Sequence, residues 1–296
     1  MIEDCYMLSN SIKSWFANRN LVIATMHKKE QVIMPLVEAE LGVNCITIPD
    51  FNTDQFGTFT RDINRRGTQI EAARKKAQTA LEITGETLAI ASEGSFMSHP
   101  AFPFVSCDRE IVLLLDQKHD LEIIGQEIST ETNHTHQSIK TLDEALNFAE
   151  KTKFPDHGLV VMLSPKSIDK NYIYKGINTE NKLIETVEKC LKQSNNGTIH
   201  IETDMRAMFN PTRMKVIEKA TQNLIKTIYQ QCPQCYYPGF DVIKRQSGLP
   251  CGLCGLATDS ILLDIYQCQQ CNFSQEKKFP TGIETADPSQ CQYCNP

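Results

Sequence analysis

Eight of the chain's twelve cysteines fall after residue 231, as four Cys-x-x-Cys pairs: Cys232/Cys235, Cys251/Cys254, Cys268/Cys271 and Cys291/Cys294. A Cys-x-x-Cys turn points two sulfurs at one ion, and a second pair completes a tetrahedron. Cys5, Cys45, Cys107 and Cys190 are scattered and read as small buried side chains. This shift in composition sets a boundary near Gln231, with residues 1–231 forming a large domain and residues 232–296 a zinc module. Fifteen residues separate Cys235 from Cys251 and nineteen separate Cys271 from Cys291, each gap about one β-hairpin long. Sequential pairing is therefore expected, giving two consecutive zinc ribbons. A nested pairing stays open, because the thirteen residues between Cys254 and Cys268 would also allow an inner site within an outer one.

Four thiolates saturate a zinc ion and leave no position for water, so two structural zinc ions are expected. Iron suits the same sulfur set. Redox dithiols are the rival reading for a single pair, and four pairs in 65 residues argue against it. The module holds Lys244, Arg245, Lys277 and Lys278 against six acidic residues. Each all-cysteine zinc site adds about two more negative charges. Nucleic-acid binding depends on phosphate neutralisation, so that partner is disfavoured. A folding staple, a protein partner or a homo-oligomer contact fits better.

The whole chain has 296 residues and a formal net charge of −6. Its longest aliphatic runs, residues 111–115 and 159–163, are too short to span a bilayer. The start Met1-Ile2-Glu3-Asp4-Cys5 is acidic and lacks the pattern of a signal peptide. A cytoplasmic protein is expected, with no membrane partner and thiols kept reduced for metal.

Before the cysteine pairs, strand-like and helix-like patterns alternate. Strands are predicted at residues 21–25, 43–48, 87–92, 110–115, 121–128, 158–163 and 198–202. Helices are predicted at 29–41, 68–83, 141–151, 180–193 and 212–230. Thr68 and Glu71 form a capping box for the second of these, and Gly85 stops it. The alternation predicts an α/β fold, a mixed sheet flanked by helices.

Three stretches combine into a candidate phosphate and metal site. Thr25-Met26-His27-Lys28-Lys29 leads from a strand into a helix N-terminus, a ready anion site. The capped helix carries Glu71, Arg74, Lys75 and Lys76, and the strand 88–92 runs into Glu93-Gly94-Ser95. Singly, each has a plainer reading: Glu71 as a cap, Lys75 as its partner one turn on, Lys28 and Lys29 as surface charge, Glu93 as a loop residue. Together, basic residues near two carboxylates are what magnesium-dependent phosphate chemistry needs.

The segments Thr25-Met26-His27-Lys28-Lys29, Thr68-Gln69-Ile70-Glu71-Ala72-Ala73-Arg74-Lys75-Lys76-Ala77 and Ala89-Ile90-Ala91-Ser92-Glu93-Gly94-Ser95 resemble the inosine-triphosphate pyrophosphatase-like superfamily, Maf-type members included. The resemblance covers about the first hundred residues. It implies that fold, with Glu71 and Glu93 holding magnesium or activating water and Lys29 and Lys76 on phosphates. Thr25 and His27 occupy the family's substrate turn, where His27 replaces its asparagine. The family's base-reading segment is not reproduced; Asp204, Arg206 and Arg213 stand at the matching place. The whole chain also resembles an uncharacterised bacterial family carried as a domain of unknown function. The expected activity is magnesium-dependent hydrolysis of a nucleoside triphosphate or related phosphorylated small molecule. The alternative is a non-catalytic nucleotide- or protein-binding scaffold.

Two further features read as ordinary. His134 and His136 stand two apart in a polar stretch; on one face of a strand they could bind a metal, but with only Glu131 as a nearby partner a solvated loop is expected. Cys107, in Cys107-Asp108-Arg109-Glu110, is expected to be a buried thiol rather than a nucleophile.

Overall fold

The computed structural model describes residues 12–49, 51, 68–99, 102–165 and 170–296. The described chain divides into two compact units, one over Lys13–Ile225 and the other containing Lys226–Pro296.

In the larger unit, β1 (Asn20–Ala24), β2 (Asn44–Thr47), β3 (Leu88–Ser98), β4 (Ser106–Asp116) and β5 (Leu121–Ser129) form one sheet, ordered β2-β1-β3-β4-β5. β1 is parallel to β2 and β3, whereas β4 is antiparallel to β3 and β5, so the sheet is mixed as expected. The helix α1 (Glu30–Leu41) supplies the β1–β2 crossover and closes on Gly42 at φ 68°. The helix α2 (Gln69–Thr84) starts on the predicted capping box, Thr68 N–H donating to Glu71 Oε2 at 2.6 Å and Glu71 N–H to Thr68 Oγ1 at 3.2 Å. Its Ala73, Ala77, Ala80 and Leu81 pack with Val22, Ala24, Ala89, Ala91, Ile111 and Leu113 of the sheet. Small side chains on both surfaces let helix and sheet approach closely.

A second sheet, wholly antiparallel, is ordered β6-β9-β7-β8 from β6 (His136–Ile139), β7 (Leu159–Met162), β8 (Ile173–Ile177) and β9 (Ile199–Thr203). Side chains of α3 (Leu142–Lys151) and α4 (Glu180–Gln193) join Ile139, Leu159, Val161, Ile199 and Ile201 in its core. The expected loop at His134 and His136 is therefore corrected in part: residues 136–139 are an edge strand. Three of its four side chains are exposed, so the sequence shows no apolar alternation. The helix α5 (Pro211–Tyr229) follows. Gly125 of β5 lies where a Cβ would collide with the backbone of Ala220 and Leu224 in α5, so only glycine allows this approach. Among the described residues no helix is long and apolar enough to cross a membrane.

The smaller unit is built on β10 (Asp241–Ser247), β11 (Ile261–Gln267) and β12 (Ser274–Lys278), one antiparallel sheet in that order. Both expected cysteine pairings are corrected here. Cys232 and Cys235 gather with Cys268 and Cys271, while Cys251 and Cys254 gather with Cys291 and Cys294. The pairing is interleaved, neither sequential nor nested. Each of the three gaps between cysteine pairs holds one strand rather than a whole hairpin, and each strand carries the chain to the opposite end of the sheet. Asp241 pairs with Gln267, and Gln267 with Ser274, which puts the first and third cysteine pairs at one end. Ser247 pairs with Ile261 at the other end, and a bridge from Cys251 to Ala286 brings the fourth pair to the second.

Candidate functional site

The cysteine tetrads are built by four similar turns. In each, the N–H of the residue after the second cysteine bonds the carbonyl of the first: Tyr236 to Cys232, Gly255 to Cys251, Asn272 to Cys268 and Asn295 to Cys291, at 2.9–3.1 Å. Tyr236, Gly255 and Asn272 adopt φ of 59°, 73° and 59° to do so. The N–H groups of Gln234, Leu253 and Gln270 point at the sulfurs of Cys232, Cys251 and Cys268, each at 3.4 Å. Such donors favour the thiolate. The N–H groups of Cys254 and Leu253 pull the Cys251 thiol down to about 7. Cys294, facing the Cys254 sulfur, is pushed up to about 12. Four packed sulfurs ionise together only around a cation.

The spacing fits one. Sulfurs lie 3.7 Å apart for Cys232–Cys271, 3.5 Å for Cys235–Cys268, 3.9 Å for Cys251–Cys294 and 3.6 Å for Cys254–Cys291. A tetrahedron with metal–sulfur bonds of about 2.3 Å has edges of about 3.8 Å. A disulfide needs about 2.05 Å. Two ions of zinc type, one per tetrad, match this donor set.

The second constellation lies in the larger unit. Lys29, at the turn into α1, donates from Nζ to Ser92 Oγ at 3.1 Å and stands 3.9 Å from Glu110 Oε2. Lys76 of α2 forms an ion pair with Glu93 of β3. Arg213, in the first turn of α5, donates Nε to Glu110 Oε1 at 2.6 Å and Nη1 to the Met205 carbonyl. The Asn210 side chain accepts from the Arg213 N–H at 2.9 Å, capping the helix in the orientation this reach requires. Asp108 stands two residues before Glu110 on β4 and shares its face. All six charged residues are buried: Lys29, Lys76, Glu93, Asp108, Glu110 and Arg213.

Electrostatics follow from that burial. Desolvation lowers Lys29 to about 8, partly opposed by Glu110. Desolvation, then the neighbouring Glu110 charge, raises Asp108 to about 8. Gly94 explains the glycine after Glu93: a Cβ there would overlap Glu110 Oε1 and Arg213 Nη2. The Glu93-Gly94-Ser95 segment is thus an interior strand segment opposite Glu110, not a loop.

Of the residues singled out in sequence, Lys29, Lys76, Glu93 and Arg213 come together. Thr25 and His27 lie half-buried in the turn that carries Lys29. Glu71 does not join them. Its carboxylate is exposed and held by the Thr68 backbone and hydroxyl, which keep it below the usual carboxylate range. Asp204 and Arg206 pair with each other, through Nε to Oδ1 at 3.0 Å and Nη2 to Oδ2 at 2.6 Å. Asp204 also accepts from Gly176 N–H at 2.9 Å, and the Arg206 guanidinium stacks over Phe209 at 4.7 Å. Cys107 is a fully buried thiol raised by desolvation, as expected of a structural cysteine.

Asp108 and Glu110 were not legible as site residues. Their signal is two acids spaced two apart, running straight into the apolar residues 111–115. A carboxylate continuing the buried face of a strand must meet a cation inside. A polar cleft of about 500 Å³ also opens beside the start of α5, lined in part by Asn133, Lys151, Lys153, Thr212 and Lys215. Asn133 accepts from Asn210 Nδ2 at 2.9 Å, linking the cleft wall to the cap behind Arg213.

These features define a two-part protein, an α/β unit with an internal cluster of charge and a unit with two interleaved four-cysteine clusters that could each hold a metal ion. The chain belongs to the family described as Domain of unknown function (DUF6671), whose model matches residues 76–296. No curated protein matches it. The crystal structure of protein VC0702 from Vibrio cholerae aligns with 75% of this chain and 100% of its own length, at 9% identity and a TM-score of 0.33, too distant to carry an argument.

Proposed function

We propose that the larger unit is a divalent-cation-dependent hydrolase of a nucleoside triphosphate or a related phosphorylated small molecule, and that the smaller unit is held folded by two structural zinc ions. The observation that supports the enzymatic reading is the gathering of Lys29, Lys76 and Arg213 with Glu93, Asp108 and Glu110 around the segment Ser92-Glu93-Gly94. In this reading the two lysines bind phosphate oxygens, and Glu93 holds the catalytic cation or takes the proton from the attacking water. Magnesium favours hard oxygen ligands, and the carboxylates of Glu93, Asp108 and Glu110 supply that chemistry. A magnesium ion there would neutralise phosphate charge in the transition state. Lys151, Lys153 and Lys215 of the adjoining cleft suit an anionic substrate.

One observation favours the non-catalytic reading instead. Glu71 is committed to its cap, and Lys76 with Glu93 and Arg213 with Glu110 already form ion pairs. Pyrophosphate and phosphate release from ordinary and damaged nucleoside triphosphates, with magnesium or manganese, separates the two. The enzymatic reading expects turnover that disappears on removing the divalent ion. It also expects Glu93→Gln to lose about a hundredfold or more per folded molecule. That variant also strands Lys76 without its partner, so the folded fraction has to be measured alongside. No turnover of any substrate, or full activity in Glu93→Gln, leaves the scaffold reading.

A further inference from the structure

Two histidines and a glutamate lie on one face of the second sheet, opposite its helix-covered core, with a third histidine just before it. β6 and β9 pair with His136 directly across from Glu202, and Ser138 across from His200. His200 and Glu202 are two apart on β9, so they share a face, while Ile199 and Ile201 point into the apolar core. His200 is 3% exposed, yet neither ring nitrogen makes a hydrogen bond. Its Nε2 stands 3.5 Å from Glu202 Oε2, and the His136 ring lies 5.3 Å away. His134 stacks on Phe96 at 5.3 Å.

A buried polar group without a hydrogen-bond partner is costly, so an imidazole with an unpartnered Nδ1 and only a carboxylate 3.5 Å from its Nε2 needs a reason. We propose that His136, His200 and Glu202, with His134 at the rim, form a third metal site, separate from the cysteine tetrads, for a borderline divalent transition ion. Imidazole nitrogens with one carboxylate suit zinc, cobalt or nickel rather than magnesium. His136 is exposed on an edge strand, which leaves the site open to solvent and its ring free to move inward. Two imidazoles on one ion have ring centres about 5 Å apart, so the 5.3 Å spacing suits them once the side chains turn their ligand atoms toward a common point.

The test titrates cobalt(II) into the full-length protein with its cysteine sites filled with zinc, following heat and visible absorbance. One equivalent beyond the zinc should bind with d–d absorption but no thiolate charge-transfer band, because the ligands are nitrogen and oxygen. His136→Ala and Glu202→Gln, both changes at solvent-reachable side chains, should each weaken that equivalent about tenfold or more. Absence of the extra equivalent, a thiolate band, or unchanged binding in both variants overturns the proposal. None of these readouts depends on hydrolytic activity.

Discussion

Arg213 of α5 donates its Nε to Glu110 of β4 at 2.6 Å across a sequence separation of 103 residues, and both side chains are almost fully buried. A buried ion pair need not stabilise relative to apolar residues, but breaking one half of it is costly. Arg213→Met should therefore destabilise the larger unit by about 3–5 kcal/mol. Arg213→Met with Glu110→Met should recover part of that loss, because Lys29 then loses its neighbouring carboxylate. Urea denaturation of the single and double variants checks it; a double variant no more stable than the single would mean the cost lies elsewhere.

Gly94 lies against that pair. Gly94→Ala pushes a methyl into Glu110 Oε1 and Arg213 Nη2, so the guanidinium and carboxylate must separate or shift. A loss of about 1–3 kcal/mol is expected, typical of overpacking. Gly85→Ala is the control: its Cβ would meet nothing within 4 Å, and only its left-handed φ of 73° is strained. Thermal denaturation should rank Gly94→Ala below that control.

Burial of Asp108 beside Glu110 should give the larger unit a pH dependence. Its folded-state value, raised to about 8 by desolvation and then Glu110, lies above the unfolded value near 3.8. Between these, the native state holds a proton that the unfolded state has released. Its contribution is therefore fully present below about pH 4 and is lost as pH rises toward about 8, with a limiting slope of about 1.4 kcal/mol per pH unit. Asp108→Asn keeps the shape and removes the proton. Relative to the parent, the variant should gain stability from pH 5 to pH 8 and level off above that. A parent–variant difference that is flat over this range would show that Asp108 does not titrate there.

Much of this fold could be read from sequence because local rules sufficed. The capping box at Thr68 and Glu71 and the stop at Gly85 bracket α2 to within a residue of its observed ends. The elements missed are those whose side chains face solvent or break pattern: β6 with His136, Gln137 and Ser138 exposed, and β8 with Lys175 and Gly176 inside it. Of the buried charge cluster, Lys29, Lys76 and Glu93 were singled out in sequence. Glu110 and Asp108 were not, since a carboxylate inside a strand declares itself only when its cation arrives from elsewhere in the chain. The cysteine ligands were legible by spacing, but their partnership was not. Gap length was read as one hairpin per gap, whereas the sheet takes one strand from each.

Removing metal should act on one unit alone. Around the tetrads, zinc binding contributes folding free energy directly, and chelation leaves sulfurs 3.5–3.9 Å apart without a charge to hold them. Residues 232–296 should lose amide protection on chelation while β1, β3 and β4 keep theirs. Hydrogen exchange with and without chelator reads this, and equal loss in both units would contradict separate stabilisation.

Which cysteines share an ion is read most directly by cadmium-113 NMR, correlating each bound cadmium with the β-protons of its ligands. The interleaved sheet predicts two resonances, one connected to Cys232, Cys235, Cys268 and Cys271 and the other to Cys251, Cys254, Cys291 and Cys294. A resonance joining Cys232 and Cys235 to Cys251 and Cys254, or to Cys291 and Cys294, would contradict it.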